Sequence, residues 1–327
     1  MTLVDISAQP ERHGAKIRSA VAAGDGARSR IAASWHRCAS YYGLAPESVV
    51  SRRILTEREL RDSKEQLGSL SDRIFPALSR LSKILSPYNV CTSFATPDGV
   101  IVALETFVDD ADALRNWGLA RGADWSEPRE GTNGIGTCLV EETPIAIRHD
   151  EHFFLRDTVM TCLAAPVFDH LGQIGGAFNV SLCGSDVDSP ARALIASLVL
   201  SSTRQIEIDH FHACYANRKI ISLPPANGQS GGVLLAVDAD GVICGATRAA
   251  RTQFSLTDAR LRSGVCASDV VAQEDDDFGT SERSVIRREL VRTNGNVSAA
   301  ARNLGVSLAT LKRRIARYEL RNVFRGE

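Results

Sequence analysis

The sharpest chemical pattern in this sequence lies near its C-terminus, where Thr310, Lys312, Arg313, Arg314 and Arg317 fall between the aliphatic residues Leu308, Leu311 and Ile315. At helical spacing this arrangement gives one cationic and one apolar face. A cationic rod of this kind suits the phosphates and base edges of double-stranded DNA, while a solvated surface helix is the plainer reading of the same charges.

Other constellations carry ligand-type side chains. Gly131-x-x-Gly134-x-Gly136 could present backbone amides to a phosphate, but its order is wrong for a dinucleotide fingerprint, and three glycines equally serve a tight strand-to-helix turn. His149-Asp150 invites comparison with metal phosphohydrolases, which take further His and Asp ligands from a helical bundle, whereas this dipeptide follows a predicted strand. In His210-x-His212-x-Cys214 only His210 and Cys214 share a face of a continuous helix. The eight cysteines form no C-x-x-C pair, so reduced thiols are expected. Cys138 or Cys162 would be the nucleophile of a thiol reductase, but no neighbour signals a depressed pKa, and buried inert thiols are the expectation. No catalytic residue, metal or cofactor is assigned.

The elements around the cationic rod form a module. Glu282 to Arg292 is patterned as a helix with Val285, Ile286 and Leu290 on one face, and Asn294-Gly-Asn296 stops it. Val297 to Leu304 reads as a short helix whose alanines permit close backbone approach. Gly305-Val306 turns the chain, and Ser307 can cap the next helix. The result is a helix-turn-helix. Its charge fits: from Glu282 to Glu327, ten arginines and one lysine oppose four glutamates, a net of +7 that leaves −8 on the other residues of a chain whose total is −1. A basic tail on an acidic body is the footprint of a nucleic-acid module joined to something else.

The 327 residues suffice for two or three globular units, and 44% hydrophobic content excludes a wholly disordered chain. No basic-then-apolar leader and no apolar run of about 20 residues is present, so no membrane partner and a cytoplasmic location are expected. Residues from Arg28 to Ser86 read as helical. Leu60, Leu67, Ile74 and Leu81 recur every seven, with Leu78 and Leu85 beside them and Pro76 interrupting the row. Such a stripe fits either a second subunit or the chain's own next domain. Strands follow at Val90–Ala95 and Val100–Leu104 around the turn Thr96-Pro-Asp-Gly99, then at Pro144–Arg148, Leu163–Phe168 and Gln173–Val180, with a turn at Asp169–Gly172. A long helix is expected from Pro190 to about Lys219. Ser222 to Gly232 reads as a linker, and a small hairpin with a helix at Thr247 to Phe254 follows it.

Two stretches carry a family resemblance. Gly295-Asn-Val-Ser-Ala-Ala-Ala-Arg-Asn-Leu-Gly-Val-Ser-Leu-Ala-Thr-Leu-Lys-Arg-Arg-Ile resembles the Fis-type helix-turn-helix. That resemblance places Ser307, Thr310, Lys312 and Arg313 at or near DNA, with Arg314 and Arg317 suited to phosphates. Leu308 stands where many relatives have an arginine. Trp117 to Thr137, Glu141-Glu-Thr-Pro-Ile-Ala-Ile, His149-Asp-Glu-His-Phe153 and Cys162 to Asp169 resemble the GAF-type sensor of the acetoin-catabolism regulator (AcoR-like) family. Ile31-Ala-Ala-Ser-Trp-His-Arg-Cys38 is similar to that family's helical lead, and Val233 to Val271 to a shortened PAS-like connector. The resemblance implies that Trp125, Thr132, Asn133, Glu142, His152 and Phe153 lie in or beside a small-molecule pocket. Many relatives also carry an ATPase domain that remodels sigma-54 polymerase; it needs a phosphate loop, and this sequence contains no Gly-Lys pair.

The expected architecture is therefore α+β: a helical arm (1–86), a GAF-like sensor (87–220), a linker (221–232), a PAS-like connector (233–272), an acidic linker (273–281) and an all-α helix-turn-helix (282–327). The expected function is DNA-binding regulation by a small-molecule effector, with a homodimer and RNA polymerase as further partners. A GAF-fold thiol enzyme with a basic accessory tail is the alternative.

Overall fold

The computed structural model describes residues 9–48, 51–88, 90–107, 114, 117–183, 188–226, 231–271, 278–293, 295–318 and 320. The chain forms two compact units, 1–211 and 212–327, parting within the last turn of a continuous helix, Ser189–Cys214.

Helices α1 (Gln9–Ala22) and α2 (Arg30–His36, continued by a π turn to Tyr41) open the first unit. Ser29 caps α2 through the Ala32 amide. Helix α3 (Glu57–Glu65) begins with a reciprocal capping box between Thr56 and Glu59. Gly68, at φ 50°, ends the helical run before α4 (Ser71–Leu85) starts, and α4 passes through Pro76. The seven-residue stripe is thus not one rod. Leu60, Leu67, Ile74, Leu78, Leu81 and Leu85 share a core with Phe94, Phe178 and Val180 of the sheet, so the chain's own domain covers the stripe.

That sheet is antiparallel, in the order β2–β1–β5–β4–β3: β1 (Val90–Ala95), β2 (Ile101–Thr106), β3 (Ile145–Arg148), β4 (Met160–Phe168) and β5 (Ile174–Cys183). Gly99 closes the β1–β2 turn at φ 87°, its amide donating to the Thr96 carbonyl at 2.9 Å. Every residue of β4 is buried, because both faces of the sheet are covered. On one face lie α4 and the long helix α6 (Ser189–Cys214), through Ile195, Val199 and Ile206. On the other lie the segment around Trp125 and the short helix α5 (Gly134–Glu141), through Ile135 and Cys138.

Helix α6 stops at Cys214, short of the expected Lys219. The β-branched run Lys219-Ile-Ile-Ser-Leu223 instead forms β6 and pairs with β7 (Val233–Val237), which pairs in turn with β8 (Ile243–Ala246). Strand formation therefore takes the first residues of the stretch read as a linker. Three short helices, α7 (Arg248–Gln253, capped by Thr247), α8 (Asp258–Arg262) and α9 (Ala267–Val271), complete this piece around Leu235, Ala250 and Val270. The chain ends in α10 (Phe278–Arg292), α11 (Val297–Asn303) and α12 (Leu308–Arg317). The stretch read as an acidic linker lies largely outside the described residues. Among the described residues no helix is long and apolar enough to cross a membrane.

Candidate functional site

The last three helices close on Ile286, Leu290, Ala300, Ala301, Leu311, Ile315 and Leu320, with alanines where α11 meets its neighbours. Asn296 caps α11 through the Ala299 amide at 3.0 Å, and Ser307 caps α12 through the Thr310 amide at 3.1 Å. Gly305 sits at φ 64°, a conformation that permits the tight α11–α12 connection. Buried Glu289 accepts from Asn303 at 2.6 Å and ties α10 to α11.

Lys312, Arg313 and Arg317 are exposed on α12, Ser307 is exposed at its start, and Thr310 is half-buried beside Ser307. Among the described residues no ion pair reaches Lys312, Arg313 or Arg317. Arg314 differs: it pairs with Glu282 of α10 at 2.8 Å, which turns it toward the scaffold. Two aliphatic assignments also change. Leu308 is 39% exposed and Val285 42%, so neither lies on the buried face the spacing gave them. A first-turn residue of a helix that packs by its middle projects past its partner, which leaves Leu308 on the surface beside the cations.

In the first unit the functional segment is built on buried ion pairs. Arg52 pairs with Glu130 at 3.1 Å and with Asp157, and its guanidinium lies 4.4 Å from the Trp125 ring centre. Arg156 pairs with Glu130 at 2.7 Å. Arg37 reaches Glu127 and Glu141, both at 2.7 Å. Burial pushes the carboxyls of Glu130 and Asp157 above their ordinary range, while Arg52 and Arg156 pull them back. Ser34 donates to Glu127 at 2.7 Å and lies 2.7 Å from the Thr132 hydroxyl. The helical lead is therefore locked onto the segment 125–137.

The six residues implied for a small-molecule pocket fall into two groups. Trp125, Thr132, Asn133, His152 and Phe153 come together. The Asn133 amide donates to the carbonyls of Trp125 (3.0 Å) and Gly131 (2.9 Å) while its oxygen caps α5 at Gly136 (2.8 Å). The Phe153 amide donates to the Thr132 carbonyl at 3.1 Å, and the Phe153 ring joins Ile17, Trp35 and Cys38 in a core. The Trp125 indole donates to the Gly118 carbonyl at 3.0 Å. His152 is fully buried; its Nδ1 lies 3.1 Å from the His149 carbonyl and its Nε2 has no hydrogen-bond partner among the described residues. Burial pushes its pKa down to about 4. Glu142 stands apart, half-buried at the far end of α5 with φ 48°.

The glycine triad serves packing. A Cβ on Gly134 would meet Cys162 Cβ at 2.5 Å, and one on Gly136 the Glu127 amide at 2.5 Å. His149 lies 3.1 Å from the Thr158 carbonyl through Nδ1, and Asp150 pairs with Lys16, so the dipeptide is engaged in local structure. Cys138 and Cys162 are buried; desolvation raises both thiols, that of Cys162 to about 11. Sequence reasoning missed Ser34, Arg37, Arg52, Glu127, Glu130 and Asp157 as a set. Only Ser34 and Arg37, in Ile31–Cys38, and the two glutamates, in Trp117–Thr137, lay in segments already singled out.

Residues 71–216 match the GAF domain, and residues 279–318 match the bacterial regulatory protein family of Fis type. The chain thus joins a GAF domain to a Fis-type helix-turn-helix, in a mixed α/β architecture. Its relatives are transcriptional regulators. Over 221 residues it is 29% identical to the acetoin catabolism regulatory protein of Cupriavidus necator, covering 67% of this chain and 33% of that one. Over 179 residues it is 25% identical to the acetoin dehydrogenase operon transcriptional activator AcoR of Bacillus subtilis, covering 55% and 29%. The chain spans about a third of the length of these relatives. The crystal structure of the E. coli DhaR(N)–DhaL complex shares the fold, with a TM-score of 0.50 and 15% identity over 70% of this chain and 76% of that one.

Proposed function

We propose that this protein is a ligand-responsive transcriptional regulator: a small molecule held by the GAF domain shifts the operator affinity of the helix-turn-helix. The observation that carries this reading is α12, capped at Ser307 and packed through Leu311 and Ile315, with Lys312, Arg313 and Arg317 exposed together. Ser307 and Thr310 sit at the duplex, Lys312 and Arg313 contact bases or phosphates, and Arg317 contacts phosphate. Arg314 contributes less, being paired with Glu282. Leu308 presents an aliphatic surface that fits a thymine methyl.

The protein acts as a homodimer in the cytoplasm, because one short helix reads few base pairs and two helices about 34 Å apart double the contacts. Regulation runs through DNA occupancy or contact with RNA polymerase. The thiol-enzyme alternative is disfavoured because burial raises Cys138 and Cys162 away from thiolate. Trp125, Thr132, Asn133, His152 and Phe153 hold or border the effector, and Glu142 lies toward its rim.

The test is to map the sites the protein occupies across its own genome, then to measure affinity for one such duplex across a metabolite panel. At least one metabolite related to the neighbouring genes changes the affinity severalfold. An affinity unaltered across the panel reduces the protein to a constitutive binder and overturns the sensor.

A further inference from the structure

We infer that a small cavity in the second unit, between the β7–β8 hairpin and α10, is a site for a phosphoryl oxyanion carried by a small molecule and held by Arg287, Arg288 and Arg292. All three side chains line this cavity, whose volume is about 150 Å³ and whose wall on the hairpin side includes Asp240 and Ser268. The lining thus sets three guanidinium groups against one carboxylate, that of Asp240. Planar guanidinium forks match the oxygens of a phosphoryl group two at a time, and the Ser268 hydroxyl adds a further donor. The volume lies below the ~300 Å³ at which pockets for whole drug-sized ligands begin, so the cavity suits an anionic head group.

The helix period puts the arginines there. Helix α10 packs on the helix-turn-helix core through Ile286 and Leu290. At about 100° per residue, Arg288 and Arg292, one turn apart, fall on the opposite face, and Arg287 lies on the flank. Arg288 is anchored to the connector by its ion pair with Asp269 of α9. Among the described residues no ion pair reaches Arg287, and Arg292 meets Glu289 at 3.8 Å with its own side chain 77% exposed, a pairing of little strength. Two of the three cations therefore keep most of their charge for a ligand.

The facing wall is fixed in advance. The Asp238 carboxylate accepts from the amides of Asp240 (3.0 Å) and Val242 (2.9 Å), and the Ala267 amide donates to the Gly241 carbonyl at 2.9 Å. Arg287 passes beside Gly241, where a Cβ would crowd its Nη2 at 3.2 Å; the glycine, at φ 77°, leaves that side open. A phosphate of bound DNA is the other source of the same chemistry. Position disfavours it: α12, with Lys312, Arg313 and Arg317, packs against the Ile286–Leu290 face, so the body of α10, ~10 Å across with its side chains, stands between the recognition helix and the cavity. Occupancy ties the hairpin to α10 through the anion, in addition to the Arg288–Asp269 pair.

The experiment uses the full chain without DNA, in phosphate-free buffer of low ionic strength, titrated calorimetrically with pyrophosphate and with inorganic phosphate as the probes. Pyrophosphate binds saturably, one per chain, and phosphate competes with it. Arg287→Ala combined with Arg292→Ala weakens pyrophosphate about 10-fold or more, whereas Lys312→Ala with Arg313→Ala changes it by less than about twofold. All four side chains are exposed, so the variants keep the parent's circular dichroism and melting temperature. The salt slope of duplex binding is the same in the Arg287, Arg292 variant as in the parent. No saturable pyrophosphate binding, or equal weakening in the two variants, overturns the site. A duplex salt slope flattened in the Arg287, Arg292 variant assigns these arginines to the DNA backbone and overturns the small-molecule reading. The regulator reading stands or falls separately, on operator mapping and the metabolite panel.

Discussion

The two ends of this chain use arginine in opposite ways. In the first unit Arg37 and Arg52 are largely buried, and each is matched to carboxylates that are themselves inaccessible: Glu127, Glu130 and Asp157. On α12, Lys312, Arg313 and Arg317 project into solvent. A buried, paired guanidinium is a structural joint, and removing it strands its partners. An exposed cationic row contributes almost nothing to the fold and is available to a polyanion. Residue type alone does not separate the two roles; burial and the carboxylate partner do.

The largest effect that sharpens this contrast is on stability. Arg52→Ala leaves Glu130 and Asp157 buried with one partner fewer and exposes one face of Trp125, and a loss of about 3–5 kcal/mol is expected in the urea transition of the first unit. Lys312→Ala with Arg313→Ala changes stability by less than about 0.5 kcal/mol. Equal losses in the two variants would erase the distinction.

Acid separates the regions next. His152 is held neutral in the first unit, with a folded pKa of about 4 against an ordinary 6.5. A histidine depressed in the folded state stabilises above the unfolded pKa, and that stability is lost as pH falls toward the folded value. Between pH 6.5 and 4 His152 takes about 3 kcal/mol from the first unit, while Glu207, pushed up to about 7 by burial, returns stability over the same range, so the histidine term is read as the difference between the protein and its His152→Gln variant. The sequence has no histidine after His212, so the helix-turn-helix lacks this term. Tryptophan fluorescence reports the first unit, because all three tryptophans, Trp35, Trp117 and Trp125, lie there. A urea midpoint whose pH dependence is the same in the protein and in His152→Gln contradicts the assignment.

The cap at Ser307 is smaller still. Ser307→Ala removes the acceptor for the Thr310 amide and costs about 1 kcal/mol in the thermal transition of the helix-turn-helix. The smallest effect on stability is at Leu308. Because it is exposed, Leu308→Ala leaves the melting temperature nearly unchanged while altering preference at one base pair, as read by selection from a random duplex library. A large loss of stability would return Leu308 to the core.

Local pattern made the helix-turn-helix legible: the Asn296 and Ser307 caps, the alanines of α11 and the spacing of Leu311 and Ile315 are all short-range signals. The β1–β2 hairpin was readable for the same reason, since Thr96-Pro-Asp-Gly99 dictates its turn. Pairings across long stretches of chain were not. Arg52 meets Asp157 across 105 positions and His170 meets His210 across 40, and no periodicity encodes either. The stripe from Leu60 to Leu85 announced that it must be covered but not by what. The sequence pattern carries helix α6 to about Lys219, whereas the helix ends at Cys214 and the partner strand Val233–Val237 draws Lys219–Leu223 into a sheet.

The most direct measurement is the salt dependence of duplex binding by the full chain and by the Lys312→Ala, Arg313→Ala variant. Binding should weaken steeply with salt, and the variant should flatten the slope of log K against log salt by about 2, near one for each phosphate that no longer meets a cation. A slope identical in the two proteins, or no duplex retained at low salt, would contradict the claim that α12 is the DNA-binding face.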